Sequence, residues 1–177
     1  MKISQKASAE PGQPNKIKWL QRYNSVKSRF FRFHQNMIKL SGEREVVLVS
    51  ACLVGIPSRY DGKKKPSNDC LLELANKIWI PVCPEQLGGL PTPRSPVEII
   101  NGDGFAVLRG EQRIISPDGD DVTENFIRGA EIVLRIAQSL EVRKVFLKSK
   151  SPSCGISGRW GVTAARLSEK GFELYEY

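Results

Sequence analysis

Three cysteines in this chain each follow a hydrophobic run that reads as a buried strand. Residues 46–50 (Val-Val-Leu-Val-Ser) lead to Cys52, residues 78–82 (Ile-Trp-Ile-Pro-Val) to Cys83, and residues 145–148 (Val-Phe-Leu-Lys), through a short loop, to Cys154. Helical patterns separate these runs: a short one over residues 69–77, and a long one from Asp121 to about Leu140 with Phe126, Ala130, Val133, Leu134 and Ala137 on one face. A last helix over residues 162–169 is stopped by Gly171, and residues 172–177 suit a closing edge strand. Strands alternating with helices predict a three-layer α/β domain, with a mainly parallel sheet and helices on both faces. Ligands of such sheets bind at the carboxyl ends of the strands. Three thiols far apart in sequence are therefore expected on one rim.

The other segments are less regular. Residues 53–66 form a loop with Gly55, Pro57 and Gly62 as turn formers. Residues 84–96 hold four prolines and two glycines, which argues against helix or strand and for a shaped loop. Residues 97–100, 105–108 and 113–115 read as short strands outside the main sheet. Asp121 or Thr123 is the expected cap of the long helix. Cys70 falls on the apolar face of the first helix and reads as a buried structural thiol.

Charge divides the chain in two. Lys and Arg exceed Asp and Glu by eight, 27 against 19, and residues 1–44 carry that whole excess with ten basic and two acidic side chains. The expected organisation is a basic extension over residues 1–44 and an α/β domain over residues 45–177. Within the extension, Trp19, Tyr23, Val26, Phe30, Phe33, Met37 and Leu40 recur at steps of four and three, which predicts an amphipathic N-terminal helix over residues 16–40. Its aromatic stripe suits packing on its own domain or a homodimer contact, and its basic face suits nucleic acid or a membrane surface, with an organelle-targeting segment as the remaining alternative. A neutral domain behind it suits a small substrate. No apolar run approaches the roughly 20 residues of a membrane span, and no secretory h-region is visible. The expectation is a cytoplasmic protein, whose four cysteines serve metal binding or catalysis before disulfides.

His34 is the only histidine, so neither a His-based metal set nor a Ser-His-Asp triad can be built. No Cys-x-x-Cys pair occurs, which disfavours a zinc ribbon and a thioredoxin-type site. On spacing alone three readings stand for Cys52, Cys83 and Cys154: inert buried thiols, ligands of a metal or cluster, or a nucleophilic thiol.

The motifs narrow these readings. Ser-Ala-Cys-Leu-Val-Gly (50–55), Arg-Tyr-Asp-Gly (59–62), Val-Cys-Pro-Glu-Gln-Leu-Gly-Gly-Leu-Pro-Thr-Pro-Arg (82–94), Leu-Lys-Ser-Lys-Ser-Pro-Ser-Cys-Gly (147–155) and Gly-Val-Thr-Ala-Ala (161–165) occur in that order. Over residues 46–177 the chain resembles the domain of unknown function 523 family, which includes bacterial thiouracil desulfidases. The resemblance implies a [4Fe-4S] cluster held by Cys52, Cys83 and Cys154, with one iron lacking a protein ligand. Such an iron is a Lewis acid toward a soft thiocarbonyl sulfur. The implied activity is desulfuration of a small thiolated compound, a thiouracil or other thionucleobase, in which water replaces sulfur without net electron transfer.

Within that resemblance Glu85, two residues from Cys83, is the first choice for general acid/base, its alternative being to order the proline loop. Ser151 matches the family's serine and is expected to hand on a proton or to stabilise its turn, with Ser153 competing for the role. Asp61 is expected to contact substrate or to bond its own loop. Arg94 and Lys148 are expected to hold an anion or to lie solvated at the surface. Ser58 stands where many members carry another cysteine, and residues 155–161 are shorter than the corresponding family loop. The competing function is non-enzymatic: a cluster- or zinc-bearing binding module recruited to nucleic acid by its basic helix.

Overall fold

The structure, a computed structural model, describes residues 44–177. The amphipathic helix expected over residues 16–40, with its homodimer and nucleic-acid contacts, lies outside the described residues.

Four parallel strands form one sheet among the described residues: β1 Val46–Ser50, β2 Ile78–Val82, β3 Lys144–Leu147 and β4 Glu173–Glu176, in the order β2-β1-β3-β4. Register sets Leu48 against Ile80 on one side and Val145 on the other, and Phe146 against Tyr175. β1 is central, and its Val47, Leu48 and Val49 are wholly buried, as a continuous apolar strand covered on both faces should be. Pro81 has no N–H to donate and sits on β2, an edge strand, where that loss is tolerated.

The helices are α1 Asn68–Glu73, α2 Pro84–Leu87, α3 Gly104–Leu108, α4 Thr123–Ser139 and α5 Val162–Glu169. The two faces of the sheet carry different cores. On one, Leu48, Val145 and Leu147 pack with Val133, Leu134 and Ala137 of α4 and Ala164 and Leu167 of α5. On the other, Val47, Val49 and Phe146 pack with Cys70 of α1, Leu53 and Leu74. Each fully buried Leu, Val or Phe contributes about 1.5–3 kcal/mol. The three-layer α/β architecture is thus the one expected. A third cluster, Ile99, Val107, Ile114, Phe126, Ala130 and Val162, joins α3 to the N-terminal parts of α4 and α5.

Three local expectations need correction. Residues 97–115 hold no strand: residues 105–108 lie in α3, whose N-cap Asp103 accepts a hydrogen bond from the Ala106 N–H at 3.1 Å, and Ile115 makes only an isolated bridge to Asp121. The proline loop does contain a helical turn, α2, because Pro84 falls at its first position, where the missing N–H is not needed. At α4 the N-cap is Val122, with no side-chain cap, rather than Asp121 or Thr123: Asp121 accepts the Thr123 N–H at 3.0 Å just ahead of the helix, and the Thr123 hydroxyl accepts from the Ile114 N–H at 2.8 Å.

Backbone contact docks α2 on α4. A Cβ on Gly129 would meet the Pro84 carbonyl oxygen at 2.0 Å, and one on Gly88 would meet that of Asn125 at 2.0 Å. Only paired glycines allow this approach. Asn125 Nδ2 then donates to the Gly88 carbonyl at 2.9 Å, and Arg128 donates to the same oxygen. The turn carrying Glu85 is thereby fixed to the longest helix of the domain. No helix among the described residues is long and apolar enough to cross a membrane.

Candidate active site

The carboxyl ends of β2, β1 and β3 open onto one cavity of about 380 Å³, a size suited to a small ligand. The strand order reverses direction between β1 and β3, so the cavity lies at the switch point of the sheet. Cys52 enters from the 3-10 turn Ala51–Val54 after β1, Cys83 from the N-cap of α2 after β2, and Cys154 from the loop after β3. All three line this one cavity. Cys52 and Cys154 are buried, Cys83 is half-buried, and none is in a disulfide.

Burial pushes all three thiols up from their ordinary value. Each feels other acidic neighbours as well: Cys83 raises Cys52, while Cys52, Cys83 and Glu85 raise Cys154. The Ser50 hydroxyl works the other way on Cys154, as do the Gln86 and Glu85 N–H groups at the start of α2 on Cys83. Three thiols that repel one another's negative forms suit a cationic inorganic group, which stabilises all three thiolates together. The donors are soft, as iron–sulfur sites require. Among the described residues no three His, Cys, Asp or Glu side chains form a ready site for a single metal ion.

Glu85 also lines the cavity, beside Cys83. Arg94 Nε donates to its Oε2 at 2.7 Å, and both side chains are largely buried, 7% and 13% exposed. Arg94 is therefore neither a free anion holder nor a solvated charge, contrary to expectation. Ser151 lines the cavity too. Its Oγ accepts from the N–H groups of Ser153 at 3.2 Å and Cys154 at 3.1 Å, so it braces the cysteine loop and still has its hydroxyl proton to give. Lys148 lines the cavity with its ammonium donating to Ser149 Oγ and the Tyr177 carbonyl, and its pKa is lowered by burial first and by Lys65 next.

Asp61 and Ser153 are not among the residues lining the cavity. Asp61 pairs with Arg59 through Oδ1 at 3.2 Å and Oδ2 at 3.3 Å, and accepts the Lys63 N–H at 3.0 Å. Ser153 is wholly buried, with its hydroxyl 3.0 Å from that of Thr163. The Arg-Tyr-Asp-Gly motif reaches the cavity through Arg59 and Tyr60 instead. Sequence reasoning gave neither a role, nor Lys65, Glu98 or Lys150, which also line it. A motif marks a loop, but which of its side chains faces inward depends on the turn. Ser58, at the family's cysteine position, is buried, and its carbonyl accepts from Arg94 Nη2 at 3.1 Å and faces Cys83 Sγ at 3.6 Å.

A parallel α/β sheet with a thiol-lined cavity at its carboxyl edge is the class these features define. Comparison with known proteins narrows it. The model of the 2-thiouracil desulfurase family matches residues 47–176, and the chain belongs to that family. It is 40% identical to the uncharacterized protein YbbK of Bacillus subtilis, over 73% of this chain and 93% of that one. Among solved structures it is similar to the [4Fe-4S]-dependent thiouracil desulfidase TudS, with a TM-score of 0.61 and 35% identity over 75% of this chain and 91% of the other.

Proposed function

We propose that this protein removes sulfur from a small thiocarbonyl compound, a thiouracil or a related thionucleobase, with a [4Fe-4S] cluster held by Cys52, Cys83 and Cys154. The observation that carries the reading is the meeting of three cysteines from three separate loops at one cavity, with Glu85 beside them. When bound, such a cluster supplies an iron with an open position, a soft Lewis acid for the thiocarbonyl sulfur.

The chain's own residues then have distinct work. Glu85, held at one carboxylate oxygen by Arg94, takes a proton from the water that attacks the thiocarbonyl carbon. Ser151 presents its hydroxyl proton to the substrate ring while its oxygen stays tied to the cysteine loop. The C–S bond is replaced by a C–O bond, one water is consumed, and hydrogen sulfide leaves. No electron is gained or lost, so no redox partner is needed. Asp61 shapes the wall through Arg59. The activity belongs to residues 45–177, with residues 1–44 an appendage. Four unpaired cysteines suit a reducing compartment, and a cytoplasmic location belongs to the same proposal.

The test is anaerobic incubation of the full chain with 2-thiouracil and 4-thiouracil. Release of sulfide and uracil in equal amounts, without added reductant, is expected. Absence of both products from iron-replete protein refutes the assignment for these substrates, and a requirement for electrons refutes the mechanism.

A further inference from the structure

We infer that Arg94 is the positioning residue of the site, setting the direction of the Glu85 carboxylate; the inference rests on the desulfuration reading. The guanidinium is spent on four acceptors from three segments of the chain. Nε donates to Glu85 Oε2 at 2.7 Å, Nη2 to the Ser58 carbonyl at 3.1 Å, and Nη1 to the Pro91 carbonyl and Thr92 Oγ1, each at 3.1 Å. The Arg94 N–H in turn donates to the Tyr60 carbonyl at 2.8 Å. A planar fork with this many fixed partners has one orientation.

The consequence falls on Glu85. Oε2 is occupied, while Oε1 has no hydrogen-bond partner among the described residues and is not sealed from solvent. One oxygen is an anchor, and the side chain that carries the other lines the cavity. Glu85 also follows directly on Pro84, whose carbonyl lies against Gly129, so its backbone is held as firmly as its side chain. A carboxylate fixed at both ends keeps its reactive oxygen where a substrate-bound water must meet it. A lysine at position 94 retains the charge and loses the fork, so it tests direction and not charge.

The experiment uses anaerobically purified full chain carrying Arg94→Lys, Glu85→Gln, or both. Arg94→Lys is expected to retain its iron and labile sulfide, to lose about 10- to 100-fold in kcat, and to keep KM for thiouracil within about two-fold. The double variant is expected to be no slower than Glu85→Gln alone, since Arg94 acts through Glu85. Wild-type turnover in Arg94→Lys, loss of its iron, or additive losses in the double variant overturn the inference. A crystal structure of Arg94→Lys separates this from the functional reading. A Glu85 carboxylate turned from its wild-type direction sustains the inference even if no thiouracil is turned over, and an unmoved carboxylate overturns it.

Discussion

Cys70 and Cys154 are both buried cysteines packed in apolar clusters of one domain, yet only Cys154 lines the cavity at the carboxyl edge of the sheet. Cys70 lies on α1 among Val47, Val49, Leu53, Leu74 and Phe146, an apolar cluster. Cys154 lies in a loop beyond β3, where the wall of a cavity also holds Cys52, Cys83 and Glu85. Burial raises both thiols, that of Cys70 to about 11. At Cys70 desolvation is the leading cause, and Cys52 and Glu73 add to it. At Cys154 two further thiols and a carboxylate add to it. Burial alone therefore separates nothing. What sets Cys154 apart from Cys70 is convergence with other thiols on a space large enough for a guest.

The comparison is broken most severely by substitution at the cavity. Replacing Cys52, Cys83 or Cys154 by Ala is expected to abolish sulfide release from thiouracil. Wild-type turnover in any one of the three removes that residue from the ligand set. Glu85→Gln comes next: the visible absorption of the bound cluster is expected to persist while turnover falls about 100-fold or more. A variant with full turnover would leave Glu85 a structural partner of Arg94.

The smallest effect is expected at Cys70. Cys70→Ala should keep turnover and cost about 1–2 kcal/mol of stability through lost packing. It should also remove one pH dependence. Burial pushes the folded thiol up to about 11 from its ordinary 9.0. Its contribution to stability is therefore complete below pH 9 and lost as pH rises from about 9 to about 11, because the unfolded chain gives up the proton first. Denaturant melts of wild type and Cys70→Ala across that window should converge at the alkaline end. Parallel curves would show that Cys70 titrates normally.

The same contrast between interior and rim explains how much of the molecule was legible in its sequence. The strands β1 and β2 and the helix α5 fall where their apolar patterns put them, since hydrophobic periodicity reports burial directly. The apolar face expected for α4 is buried at every one of its five positions. The region of residues 97–115 misled because its short aliphatic runs suit strand and helix equally. The cap Asp103 decided it, through one hydrogen bond to Ala106. At the site, strand ends identify which loops meet, so the convergence of Cys52, Cys83 and Cys154 followed from topology. The pairing of Arg94 with Glu85 did not, because it spans nine residues of irregular chain. Nor did the inward turn of Arg59 and Tyr60 in place of Asp61, which depends on a local ion pair that no periodicity encodes.

Iron and acid-labile sulfide in anaerobically purified wild type, Cys83→Ala and Cys70→Ala proteins test the central claim most directly. About four of each per chain are expected in wild type and Cys70→Ala, with loss of both in Cys83→Ala. Wild-type protein without iron, or a Cys83→Ala variant that keeps its full complement, would contradict the claim that the cavity thiols hold a cluster.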